Sequence, residues 1–248
     1  DVKLPSRVVG HTVQGPEMWK TWHNTVALTG GTAMISEPVN KPDVQAVWRN
    51  YEIMRPSSQE NSRLLTLGKS DKNSIFGFSA NRTWGDFAVY NLYNSENNRS
   101  SDIRLDFSDA GLPSDTACVV YDFWQNEVIG KATNSFTAKN IPQNGSRLLR
   151  FTPVSGDSPQ LVGSNLHLSI GATEIDEIFI TSNSIKLIFS NGGAQTGDLL
   201  FHSRNALSAG KSENCSISSV QDMGDNLWKV SIKGRIWNSS QSIRLNIN

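Results

Sequence analysis

The residues of this chain that could do chemistry are few and widely spaced. Four histidines, His11, His23, His167 and His202, show no H-x-x-x-H or other ligand spacing. Cys118 and Cys215 are the only cysteines and lie far apart, so a disulfide framework is not expected and a thiolate zinc site lacks ligands. Both read as ordinary buried thiols. Glu174, Asp176 and Glu177 could offer oxygen ligands to calcium, although a solvated, charged strand edge is the expected reading. Asp122 stands between Tyr121 and Phe123 and reads as a hydrogen-bonded structural carboxylate. His167, followed by Gly171 and Glu174, could mark a contact between two β units. Aromatic faces suit the C–H surfaces of sugars, so the tryptophans are the remaining candidates. Trp19 and Trp22 recur at helical spacing, and Trp228 and Trp237 lie near the end of the chain. All four read first as core, with a sugar-stacking face as the competing reading. Trp84, beside Gly85-Asp86, reads as a sandwich-edge residue. None of these spacings calls for a metal or a cofactor.

The elements that must position these residues change character near residue 56. Pro16 opens a helix at a position where its missing N–H costs nothing, and Gly30-Gly31 stops it. Met18, Trp19, Trp22 and Val26 form its apolar face. Thr32 to Ser36 reads as a short buried strand ended by Glu37-Pro38. A second helix follows, capped by Asp43, with Val44, Val47, Trp48 and Tyr51 on one face and Pro56 closing it. Helix, buried strand, helix is the order of an α/β layer with a parallel sheet, and one strand cannot make that sheet. Residues 1–56 are therefore expected either to complete a sheet that begins upstream of Asp1 or to pack on something else.

Short strands run from there to the end. The first group comprises 64–67, 75–78, 87–93, 103–107, 118–124, 127–130, 135–138 and 147–151, with frequent turns between them, which predicts a β-sandwich. Residues 154–159 read as a linker. The second group is placed at 167–170, 175–180, 185–189, 198–202, 227–232 and 243–247, a number and spacing that suit an immunoglobulin-like sandwich.

The charge balance excludes some partners. There are 23 Lys and Arg against 23 Asp and Glu, scattered without the basic stripe of a nucleic-acid binder. No apolar run approaches the roughly 18 residues of a membrane span, and no basic-then-apolar leader opens the chain. The sequons at Asn81, Asn98, Asn144, Asn214 and Asn238 are what a chain rich in Asn, Ser and Thr yields by chance.

The succession of motifs resembles a known family. Gly10-His11, then Trp19 through Leu28 leading to Gly30-Gly31, then Thr32-Ala33-Met34-Ile35-Ser36-Glu37-Pro38, looks like the end of the (β/α)8 barrel in the α-galactosidase and raffinose-synthase clan of glycoside hydrolases. Val120 to Trp124, Phe136-Thr137-Ala138 and Gly145 to Pro153 are similar to the closing strands of that clan's C-terminal β-sandwich, in matching order over residues 10–153. The resemblance implies a mainly β chain with three parts: a barrel tail over 1–58, a β-sandwich over 59–155 and an accessory immunoglobulin-like sandwich over 156–248. It implies a retaining glycosidase whose two catalytic carboxylates sit on earlier barrel strands, so no catalytic residue is assigned here. It places Ser36 and Glu37 at the mouth of the last barrel strand, with His11 near them, as candidate contacts to an oligosaccharide or to a catalytic carboxylate; a strand-end turn and a plain loop histidine are the alternatives. The implied partners are a glycan and the upstream barrel, the implied location is extracellular or periplasmic, and neither nucleic acid nor a membrane is involved. The competing expectation is a non-catalytic carbohydrate-binding or surface-adhesion module made of two β-sandwiches.

Overall fold

The computed structural model describes residues 16–30, 40, 42, 52–54, 60–68, 73–96, 98–154, 156–190, 196–234 and 240–248. One helix among them, α1 (Pro16–Leu28), precedes a series of strands. The first eight are β1 (Arg63–Leu64), β2 (Ser74–Ala80), β3 (Phe87–Tyr93), β4 (Ser101–Asp106), β5 (Cys118–Asp122), β6 (Glu127–Ala132), β7 (Ser135–Ile141) and β8 (Ser146–Pro153). The rest are β9 (Gln160–Ser164), β10 (Ile175–Ile180), β11 (Ser184–Phe189), β12 (Thr196–His202), β13 (Leu207–Glu213), β14 (Cys215–Gly224), β15 (Leu227–Gly234) and β16 (Gln241–Ile247).

The first set forms a six-stranded antiparallel sheet, ordered β1-β2-β3-β8-β5-β6, and a two-stranded sheet, β4-β7. Strand alternation decides what each face does. Ala88, Tyr90 and Leu92 of β3, Cys118 and Val120 of β5, and Leu149 and Phe151 of β8 join Ile103, Leu105, Ala138 and Ile141 of the small sheet in one apolar cluster. The alternate residues of the same strands (Phe87, Val89 and Asn91; Val119 and Tyr121; Leu148, Arg150 and Thr152) are buried too. Both faces of the large sheet are thus covered, which is why β3, β5 and β8 are buried almost throughout.

The second set forms two four-stranded sheets, β10-β11-β16-β13 and β14-β15-β12-β9, whose apolar side chains share a cluster with Phe87, Val89 and Tyr121 of the large sheet. β9 lies against β5 and β8. The β14–β15 hairpin turns at Asp225-Asn226, both left-handed with φ 51° and 62°, the pairing whose twist matches that of a hairpin.

The helix ends as expected, with Gly30 at φ 69° just beyond it. Its buried face is not the expected one. Thr21, His23, Asn24, Ala27 and Leu28 are buried, whereas Trp22 is 42% exposed. The predicted strand over 64–67 contracts to Arg63–Leu64, with Leu67 left in a turn and exposed. The predicted strand over 167–170 is a buried turn with Ile170 at φ 47°, because the His167 and Ser169 side chains bond the local backbone in place of a ladder. Three strands escaped prediction, β9, β13 and β14. All lie at sheet edges, and β13 and β14 carry polar residues where alternation needs apolar ones. The predicted strand over 32–36 and the helix over 43–51 lie outside the described residues.

Candidate functional site

Ser36, Glu37 and His11 lie outside the described residues, as does Trp237. Among the described residues, the outer face of the six-stranded sheet carries the densest polar chemistry, in two centres.

The first is the seat of α1 on β3 and β8. Asn24, one turn before the helix end, donates from Nδ2 to Asn91 Oδ1 at 2.7 Å and to Ser146 Oγ at 3.1 Å. Its Oδ1 accepts from Trp124 Nε1 at 3.0 Å. Thr21 Oγ1 sits 2.9 Å from Ser146 Oγ and 3.1 Å from the Asn144 carbonyl oxygen. His23 Nδ1 donates to the Trp19 carbonyl at 2.9 Å, and burial lowers its pKa to about 4, so the ring is neutral at pH 7. Trp19 packs at 3.9 Å from the His23 ring and 5.7 Å from Trp124. The helix is held by hydrogen bonds because the sheet offers it Asn91 and Ser146 at that position. Trp19 therefore packs, as expected of a core residue, while Trp22 does not.

The second centre is Arg150, fully buried on β8. Its Nε donates to Thr152 Oγ1 at 2.9 Å, Nη1 to the Ile170 carbonyl at 2.5 Å and Nη2 to the Leu161 carbonyl at 2.8 Å. The guanidinium lies 3.8 Å over the Phe87 ring and 5.7 Å from Trp84. Burial lowers its pKa to about 9 and the Glu174 charge opposes that shift, so Arg150 stays charged at neutral pH. Glu174 is itself buried, accepting from Ser164 Oγ and Gly171 N at 2.7 Å each and from Ser169 Oγ at 3.2 Å. That corrects the solvated-edge reading for Glu174. Asp176, which accepts from Ser190 Oγ at 2.7 Å, and Glu177, 3.3 Å from Thr83 Oγ1, do not join it in a cation site. Among the described residues no group of three His, Cys, Asp or Glu side chains could hold a metal ion. His167 belongs to this centre, its Nδ1 accepting from Ser169 N at 2.9 Å.

Other candidates resolve individually. Asp122 is structural: it accepts from Gln125 N at 3.0 Å and pairs with Arg147 at 2.8 Å, while burial raises its pKa against that charge. Trp84 is buried and stacked on Phe87 rather than at an edge, because the second set of strands covers it. Trp228 is half-buried against the core and donates to the Ser203 carbonyl at 3.3 Å. Both cysteines are buried and neither is in a disulfide. No described helix is long and apolar enough to cross a membrane.

Sequence reasoning missed Asn24, Asn91 and Arg150. The one available signal was a lone arginine inside the apolar run Leu148-Leu149-Arg150-Phe151, since a charge in a two-sided buried strand must be paired. Most polar atoms of the two centres are paired, with His23 Nε2, Asn91 Nδ2 and Trp84 Nε1 buried without a hydrogen-bond partner among the described residues, and the chemistry of both is positioning.

The architecture is that of an antiparallel β-sandwich protein with a helix seated on its large sheet. Residues 78–151, from β2 to β8, match the family described as the alpha galactosidase C-terminal beta sandwich domain. The match bears out the family resemblance read from the residues. A search of curated proteins finds no match. Among solved structures, α-galactosidase I from Mortierella vinacea aligns at 18% identity and TM-score 0.46, covering 60% of this chain and 39% of that one. A GH27 β-L-arabinopyranosidase from Geobacillus stearothermophilus aligns at 11% identity and TM-score 0.47, covering 61% of this chain and 34% of that one. The chain thus spans little more than a third of the length of these structures.

Proposed function

We propose that the chain is the C-terminal part of a glycoside hydrolase acting on α-linked galactosides or related oligosaccharides, with the catalytic carboxylates upstream of Asp1. The observation that carries this reading is the family match over residues 78–151. In it, residues 1–58 close a (β/α)8 barrel, 59–155 form the C-terminal sandwich and 156–248 form an accessory immunoglobulin-like sandwich. The helix supports the first assignment. α1 lays Thr21, Asn24, Ala27 and Leu28 on the sandwich side and leaves Trp22 exposed, as a helix shared between a sandwich and an α/β layer would.

Barrel active sites are built at the C-terminal ends of the strands. Ser36 and Glu37, ending the strand after α1, would line that mouth, with His11 beside them. Glu37 would accept a sugar hydroxyl or brace a catalytic carboxylate. The parent would be a retaining enzyme, its nucleophile and acid/base about 5–5.5 Å apart. The present chain would close the barrel and shape the sugar site without catalysing alone, without a cofactor, in an extracellular or periplasmic setting.

The test is the native polypeptide in its source. Intact mass and peptide mapping should show a chain much larger than 27.3 kDa with barrel sequence before Asp1. That chain should release aryl aglycone from an aryl α-galactoside. In it Glu37→Gln should lower kcat/KM by roughly tenfold, about 1.4 kcal/mol of transition-state binding. A native polypeptide of the present size would overturn the reading.

A further inference from the structure

The contact between the two sets of strands is more than a tether requires. Arg150 of β8 sends two of its three bonded donors into the second set, to the Leu161 and Ile170 carbonyls. The turn that carries Ile170 is cinched by Glu174 through Ser164, Ser169 and Gly171. No slack is left around it. A Cβ on Gly171, whose φ is 103°, would stand 2.5 Å from Arg150 Nη1, and a Cβ on Gly163 would stand 2.5 Å from the Tyr121 ring.

Further contacts flank this centre across the width of the sheet. On one side Arg82, just after β2, pairs with Glu60 and lies 3.4 Å from the Ala172 carbonyl. On the other, Tyr121 donates to Asn126 at 2.9 Å and Asn126 donates to Asp198 of β12 at 2.7 Å. Beyond that, Lys131 of β6 lies 3.3 Å from His202 Nε2 of β12. A small opening would break the Arg150 bonds before water could replace them, so partly open states are costly and motion is all or none.

We propose that the turn over residues 166–174, closed on Arg150, is a latch that fuses the two β units into one rigid, cooperatively unfolding body. The second unit is then a fixed extension of the first, not a mobile arm swinging on residues 154–159.

Each unit carries its own buried reporter thiol, Cys118 in β5 and Cys215 in β14. Pulse labelling of the whole chain across a urea series, read by peptide mass, follows the two separately. In the wild type both thiols should become reactive at one urea midpoint. In Arg150→Met the midpoints should separate by about 1 M, with Cys215 reacting first. Gly171→Ala, which presses on Arg150 Nη1 without removing the charge, should separate them in the same order and serves if Arg150→Met does not fold. Separate midpoints in the wild type would overturn the proposal, and so would variants that move both midpoints together.

Discussion

His23 is buried with one ring nitrogen bound to the Trp19 carbonyl, and the fold holds it neutral down to about pH 4. Its folded pKa is below the ordinary 6.5, so the unfolded chain binds the proton more readily. The stabilisation it provides is complete above about pH 6.5 and is lost as pH falls toward 4, by up to about 3 kcal/mol. Urea unfolding at neutral pH and near pH 4.5 should therefore show a larger acid loss in the wild type than in His23→Gln; equal losses would refute the assignment. Cys118 is governed by the same physics with the opposite sign, since burial raises its thiol to about 11. It should stay unmodified by a disulfide reagent at pH 8 in the folded chain and react once urea unfolds it.

At the scale of elements, α1 shows a helix seated by polar as well as apolar complementarity, with Ala27 and Leu28 in the core beside the Asn24 hydrogen bonds. Asn24→Ala removes the bonds to Asn91, Ser146 and Trp124 together and leaves the Asn91 oxygen and the Trp124 indole N–H buried without them. The expected loss is about 2–3 kcal/mol, seen as a lowered urea midpoint, whereas Trp22→Ala on the exposed face should cost under about 1 kcal/mol. The β14–β15 hairpin needs two left-handed residues in succession. Asn226→Val should destabilise it by about 1–2 kcal/mol and Asn226→Gly should not, since a β-branched residue crowds its own carbonyl there.

At the scale of the molecule, the large sheet is a middle layer. One face is sealed by β4 and β7 around Phe151, which meets Phe107 at 5.7 Å and Phe136 at 5.9 Å. Phe151→Ala should cost about 3–5 kcal/mol, a large share of the stability of any domain, and calorimetry should show a correspondingly lower Tm. The other face is divided between α1 and the second set of strands, so the match over residues 78–151 describes a sandwich with neighbours on its outer face.

The sequence by itself determined the mainly β class and the family resemblance that the match over residues 78–151 bears out. Period-two alternation and turn residues placed β3 at 87–93 and most of its neighbours, because an apolar residue at every second position is enough to bury one face of a strand. The ordered motifs from Val120 to Pro153 carried the resemblance for the same local reason. Tertiary structure alone decided which face of α1 is buried, what pairs with Arg150 and where Glu174 sits. Those contacts join residues 67 apart for Asn24 and Asn91, and 20 apart for Arg150 and Ile170. Periodicity records that a face is apolar, but what covers a face, and whether a polar side chain finds a buried partner, depends on elements brought together only when the chain has folded.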